Sequence, residues 1–563
     1  MANTFNTVFV KKPKRNKFDL SHDKKLSCDM GYLVPIFCQE VLPSDKFIMN
    51  TEILTRLAPL VSPVMHNIHV YTHFFFVPNR IVWDNWQEFI TGGEDGNSMP
   101  EFPYIRHKAI DNGSICDYLG YSDSLLGSYN LDFIKSSGVN MSAIPIAAYN
   151  KIYNEYYRDQ NLIIDLLPDS LEDGYNLEFD AYQTMKPHRR AWRHDYFTSA
   201  LPFPQRGAQV VVPLGDTAPL VFDNDSGSTG AIFNTKPNIS LNSSVQVNEL
   251  TNDGQWRGSF SYDNKDFNVD VTKNTQVDLT QATSSTINDL RRAFKLQEWL
   301  EKNARGGSRY VEILEVHFGV KSQDARLQRP EYLGGGKSLI KISEVLQTSS
   351  PLDGENKFRD SFMTPLGTMA GHGIGLSSSH RFSRFFPEHG FVIGIMSILP
   401  QSSYMQGLHR QFQKFDKFDY FWQEFAHIGE QEIKNSEIYL SAGHEEPDEE
   451  YNNGVFGYTP RYSEYRFIPS TVHGDFKDTL SFWHMARKFG NPPRLNKSFI
   501  EALPTKRIFA LTDFRPDYDS YLNNDYEYLS DDDYRESWHS VYCHIYHNIT
   551  AIRPIPKFGI PSF

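Results

Sequence analysis

The run Gly334-Gly335-Gly336-Lys337-Ser338 ends as a phosphate-binding loop ends, with a Lys and a hydroxyl after a glycine-rich turn. Such a loop also needs a glycine at the position of Glu331, where backbone N–H groups close on the phosphates, and a helix starting at the Lys. Glu331 puts a carboxylate there instead. The following SLIKISEV alternates, Leu339 with Lys341 and Ile340 with Ile342, as a strand does. The stretch therefore reads as a glycine-rich turn feeding a strand. AGHGIGL, residues 370–376, has Leu376 where a dinucleotide fingerprint has its last glycine, and reads as a tight, crowded turn.

Other chemistry is sparse. The chain has no H-E-x-x-H, no G-x-S-x-G and no C-x-x-C, so no catalytic residue, cofactor or metal site is expected. The acidic runs HEEPDEE (444–450) and SDDDYRE (530–536) read as solvated loops before they read as cation sites, because contiguous like charges usually face water. Cys28, Cys38, Cys116 and Cys543 lack metal-ligand or disulfide-framework spacing and read as reduced thiols.

Two basic features remain. Lys11, Lys12, Lys14, Arg15 and Lys17 crowd the N-terminus, where they could contact single-stranded DNA or simply be a solvated terminus. In PHRRAWRHDYF, Arg189, Arg190 and Arg193 could bind an anion while Trp192 offers a base-stacking face; the same residues could instead line a subunit interface. The whole chain is acidic, with a formal charge of -13, which argues against DNA wrapped over its entire surface.

These groups must be held by strands. Apolar, aromatic and β-branched runs of strand length occur at 33–37, 68–77, 209–214, 310–320, 391–399, 507–514 and 540–555, many bounded by proline. Their wide spacing favours a mainly β sandwich or jelly roll elaborated by insertions. Helices are expected only around 285–307, with Ile287, Leu290 and Phe294 on one face, and 147–160. Residues 221–290 contain 39 Ser, Thr, Asn, Asp or Gly among 70, too polar for much of a core, yet Phe233, Trp256, Phe260, Tyr262 and Phe267 argue for an ordered surface excursion. No apolar run is long enough to span a membrane and the N-terminus lacks a secretion signal, so synthesis is expected to end in a cytosol.

Several long blocks, among them FDLSHDKKLSCDMGYLVPIFCQEVLPSDKF, FFFVPNRIVWDNWQEFITGG, TPLGTMAGHGIG and FPEHGFVIGIMSILPQSSYMQGL, closely resemble the major capsid protein family of gokushoviruses, single-stranded DNA phages of the Microviridae. The resemblance runs from about Phe5 past Ile500 and is weakest over 221–285. It implies an eight-stranded antiparallel jelly roll with long inserted loops and a few short helices. On this reading residues 1–30 are a basic arm, 31–563 a single capsid domain, and 221–285 a variable insertion protruding at threefold axes. It further implies sixty copies, built through pentamers into a T=1 virion shell around circular single-stranded DNA. The implied partners are an internal scaffolding protein, a small basic DNA-binding protein, a DNA pilot protein and a host receptor met by Phe233, Trp256, Phe260 and Tyr262, with assembly in the host cytoplasm and no membrane insertion. A carbohydrate-binding or carbohydrate-active β-sandwich is the alternative that the Tyr, Trp and acidic content suggests.

Overall fold

A computed structural model describes residues 15–94, 96–108, 110–121, 139–164, 168–208, 210, 220–222, 246–248, 257–262, 265–270, 275–277, 287–307, 309–321, 323–348, 367–442, 448–510 and 539–558. Nine strands form one antiparallel path: β1 (Asn16–Asp19), β2 (His22–Cys28), β3 (Val34–Val41), β4 (Lys46–Leu57), β5 (Ile68–Pro78), β6 (Glu331–Leu346), β7 (Met369–Phe385), β8 (Gly390–Pro400) and β9 (Val541–Arg553). Because β1 and β2 pair end to end with the same strand, β9, the path has eight lateral positions, as a jelly roll does.

The path folds into two sheets at β6. Its first half, Glu331–Ile340, pairs with β5, whose other neighbour is β8 and then β3; its second half, Lys341–Leu346, pairs with β7, followed by β4 and β9. The expected turn at Gly334–Gly336 is thus corrected: the glycines lie inside β6. The register slips between Tyr332 and Gly334, and a Cβ on Gly335 would stand 2.1 Å from the Thr72 carbonyl oxygen of β5. AGHGIGL likewise belongs to strand β7, crowded because a Cβ on Gly371 would be 2.3 Å from the Ser62 carbonyl oxygen.

Strict alternation builds the core between the sheets. On β4, Phe47, Met49, Ile53 and Leu57 point inward; on β9, Val541, Cys543, Ile545, Ile549 and Ala551 do, meeting Val34 and Ile36 of β3, Val70 and Phe74 of β5, and Val392 and Met396 of β8. Buried polar groups interrupt this core, and His547 spans it. His547 is fully buried, with Nε2 3.1 Å from the Ile36 carbonyl oxygen and Nδ1 3.1 Å from Thr51 Oγ. The carbonyl can only accept, so Nε2 carries the proton and Thr51 donates to Nδ1. The imidazole thereby ties β9 and β4 of one sheet to β3 of the other.

The second half of β5 is buried on both faces, because helix α2 (Ile144–Ile152) covers it while α1 (Ile115–Leu119) packs beside it on β3: Phe75 and Val77 join Ile393, Ile395, Ile144, Ala148 and Ile152 in a second core. The helix expected from 147 begins at Ile144 and widens into a π turn over Tyr153–Tyr157. A third cluster, with Phe197, Tyr404, Ile433 and Phe456, surrounds the hairpin Glu430–Lys434 and Val455–Pro460.

Two further strand expectations are corrected. Residues Tyr310–Phe318 form a helix: the Glu312 carboxylate accepts the Arg309 backbone N–H at 3.0 Å, and Gly319 at φ +66° closes the last turn on the Glu315 carbonyl, so end caps override the β-branched content. Residues 507–510 form a turn touching the sandwich by one bridge, Phe509 to Leu60, while Arg507 donates to the Ser481, His484 and Ala486 carbonyls; 511–514 lie outside the described residues, as do 209 and 211–214. The helix expected near 285–307 runs from Ile287 to Gly306 and ends at Gly307.

Residues 205–303 cluster as a second compact unit. Within it, strands 246–248, 257–262 and 265–270 form an antiparallel sheet and 220–222 pairs with 275–277.

Burial pushes the pKa of His547 down to about 4. The unfolded chain binds this proton near the ordinary histidine value of about 6.5 and the folded chain refuses it until about 4, so acid favours unfolding. Subunit stability should be flat with respect to this group above pH 6.5 and fall between 6.5 and 4. His547 alone should contribute on the order of 3 kcal/mol to that loss. Denaturant midpoints measured across this window should show a shallower fall for His547→Asn than for the native chain.

Candidate nucleic-acid interface

The segment 188–192 is extended because neighbours on both sides take its backbone: Leu33 donates to the His188 carbonyl and Arg190 to that of Gly31, each at 2.8 Å, while Ala502 donates to Arg190 at 2.8 Å and Trp192 to Ile500 at 2.9 Å. Extended backbone turns alternate side chains to opposite sides. Arg189 meets Tyr32, its Nη2 3.4 Å from the phenol oxygen. Arg190 and Trp192 turn instead towards the outer face of β5 and β8.

Trp192 is 5% exposed and packs with Leu399 and Ala502, while the Arg487 guanidinium lies 5.2 Å from its ring. A base cannot stack broadly on that indole as it stands. Arg190 donates from Nη1 to Ser397 Oγ at 2.7 Å and lies 4.3 Å over the Tyr71 ring, and burial lowers its pKa from the usual arginine value. Lys337 of β6 pairs opposite Tyr71 across the strands, its Nζ 5.6 Å from the ring. Where α2 stops covering β5, the residues on its outward face, His69, Tyr71 and His73, are only half-buried. Burial, then the positive charges of Lys337 and Arg193, lower the His69 pKa and keep that imidazole neutral at neutral pH.

Beside this strip opens a cleft of about 610 Å³. His73 Nδ1 and the Tyr157 hydroxyl, 2.6 Å apart, lie along it, and Tyr332, 47% exposed, presents its ring at the rim, 5.5 Å from Phe75. Arg329 stands 4.9 Å over Tyr156 but is paired with Asp324 at 2.8 Å. Among the described residues no carboxylate pairs with Arg190, Arg193 or Lys337. The cleft thus joins aromatic faces to Arg190 and Arg193, with Lys337 on the adjoining strip of β5 and β6, a combination that suits an anion carrying a flat ring.

The sequence pointed to Arg190, Trp192 and Arg193 but not to Tyr156, Tyr157, Tyr332, His69 or His73; the readable signal was the period-two His69, Tyr71, His73 in IHVYTHFFFV. Of the basic arm, Lys11, Lys12 and Lys14 lie outside the described residues. Lys17 sits in β1 opposite Ile552, and the Arg15 guanidinium is 5.1 Å from the Phe385 ring, so both belong to the other sheet and not to the cleft. Phe233 and Trp256 also lie outside the described residues; Phe260 and Tyr262 are in the hairpin of the second unit, opposite Phe267 and Lys265. Among the described residues no cluster of His, Cys, Asp or Glu could hold a metal, and no helix is long and apolar enough to cross a membrane.

Residues 7–530 match the phage protein family described as "Capsid protein (F protein)". The chain is 36% identical to capsid protein VP1 of Chlamydia phage 1, across 100% of this chain and 98% of that protein. It is 35% identical to VP1 of Bdellovibrio phage phiMH2K over 97% and 95% of the two chains, and 29% identical to VP1 of Spiroplasma virus 4 over 86% and 87%. Agreement of this extent, end to end and on a jelly-roll sandwich, leaves one conclusion: the chain belongs to the F-type phage capsid proteins and is a gokushovirus major capsid protein.

Proposed function

We propose that this chain builds the virion shell as sixty copies in a T=1 icosahedron around circular single-stranded DNA, and that the aromatic, cation-lined cleft is a point where the shell holds that DNA. The observation carrying the first half is the end-to-end match to VP1 capsid proteins. Relatives that are structural proteins also remove the ground for a carbohydrate-active alternative. Closed symmetry suits such a subunit, since each modest contact closes into a ring and is repeated in every copy. A charge of -13 is compatible with enclosing DNA if neutralisation falls mainly to a small basic partner, with Arg190, Arg193 and Lys337 as local contributions beside the arm from Lys11 to Lys17. An internal scaffolding protein and a DNA pilot protein complete the assembly, which takes place in the host cytoplasm.

The compact unit over 205–303 takes the role of host attachment in this reading, with Phe260 and Tyr262 in its hairpin and Phe233 and Trp256 in the same insertion. A segment that clusters separately can vary without disturbing the sandwich core, which is what a receptor-matching surface needs.

Electron microscopy of the chain expressed with its phage partners should show shells of one size; monodisperse monomers under every condition would refute the shell. For the cleft, binding of oligo(dT) to purified subunit should weaken on Arg193→Ala and on Lys337→Ala, each lowering the log-log salt slope by about 0.7. Tyr332→Ala should weaken binding roughly tenfold with the slope unchanged, because stacking is insensitive to salt. Equal binding by all three variants would remove the cleft from DNA recognition. Deleting 221–285 should leave particles intact and abolish adsorption to host cells, and unchanged adsorption would place attachment elsewhere.

A further inference from the structure

The connection between β8 and the hairpin at Glu430 is a long loop without strands, yet it is firmly held. Three short 3-10 turns punctuate it, at Arg410–Phe412, Lys417–Asp419 and Gln423–Phe425. The Asp419 carboxylate accepts the backbone N–H groups of Phe415 and Asp416 at 3.0 and 2.9 Å, and the Trp422 indole donates to the Lys417 carbonyl at 2.8 Å. Tyr462, from the segment after the hairpin, accepts the Trp422 backbone N–H on its hydroxyl at 3.1 Å.

What this framework presents is inverted. Lys414 and Glu464, an ion pair at 3.2 Å, are the covered groups, with side chains 5% and 3% exposed, and Gln431 donates to the same carboxylate at 2.7 Å. The apolar rings stand outside. Phe415 is 92% exposed, and Phe412, Phe418, Phe421 and Trp422 are about half-exposed or more. Tyr465, whose ring covers Lys414 Nζ at 3.9 Å, and Ile468, 83% exposed, continue the same surface through the contact of Phe421 with Tyr465 at 6.4 Å. Water selects the opposite arrangement, so water is not this surface's final neighbour.

We propose that this aromatic ridge, residues 408–428 with 461–468, is a contact surface that docks onto a second copy of this chain. The proposal rests on the shell-forming reading and adds where the shell is joined. Size supports the occupant: an aromatic side chain can bury about 150–250 Å², so the half- to fully exposed rings amount to on the order of 800 Å², one partner's share of a standard protein interface. Charge supports it as well. Residues 408–428 balance Arg410, Lys414 and Lys417 against Asp416, Asp419 and Glu424, so two copies of a strongly acidic chain meet here without added repulsion. The ring-rich, charge-balanced composition is that of an interface centre, where Phe, Tyr, Trp and Arg concentrate.

The test is photocross-linking of assembled particles carrying Phe415→p-benzoylphenylalanine, an exposed position at which the fold tolerates the larger ring. The expected product has twice the mass of the chain, and peptides from both partners map to this sequence. Particles that assemble with position 415 cross-linked only to another protein, or to nothing, overturn the ridge while leaving the shell standing. Failure of the native chain to give particles at all overturns the shell reading and the ridge with it. In parallel, Phe415→Asp should keep the subunit's melting temperature and lower particle yield at least tenfold; an unchanged yield counts against the proposal.

Discussion

Everything in the sandwich depends on β6 serving two sheets at once. A strand that gives its first nine paired residues to β5 and its last six to β7 fixes the angle at which the sheets diverge and therefore the spacing of the core between them. It can do so because its glycines remove side chains where β5 approaches most closely; the Thr72 carbonyl oxygen occupies the space a Cβ on Gly335 would need. The same strand then offers Lys337 to the outer face, beside Tyr71 and Arg190. Core geometry and the candidate DNA cleft thus share one element, and the run that resembled a phosphate loop positions a cation by pairing as a strand.

Legibility in the sequence followed how local each constraint was. β5, β8 and β9 could be read directly, since each is a long aromatic and β-branched run, and β9 alternates without a break. β4 was passed over because Thr51 and Thr55 interrupt its apolar face; both are buried, and Thr51 is there to meet His547. The glycines of β6 and β7 read as turns because local propensity favours turns, whereas their cause is a close approach by Thr72 and Ser62, far away in sequence. Helix 310–318 was misread because β-branched content outweighed its caps on paper.

The cleft was legible only by its charges. Arg190 and Arg193 stand in a recognisable basic run, but the partners that hide Trp192, namely Leu399, Ala502 and Arg487, come from distant segments. The neighbouring rings of Tyr156, Tyr157 and Tyr332 arrive from two other segments. Opposed to this cation-lined cleft is the neutral, aromatic ridge around Phe415. A subunit of net charge -13 thus carries chemically distinct surfaces: a cationic cleft, proposed to hold DNA, and a charge-balanced, apolar ridge, proposed to meet a second copy.

The position of β9 has a consequence in time. The strand latest in sequence, β9, lies one place inside the edge of its sheet, with β4 on one side and the first strands, β1 and β2, on the other. Strands β1 and β2 find their partner only some five hundred residues further along the chain, and pairing of such high sequence separation is expected to come late in folding. A chain stopped before Val541 lacks an interior strand of one sheet and the His547 tie between both. Without β9, the strands β4, β1 and β2 have no partner between them, so the sandwich closes only when its earliest and latest strands meet.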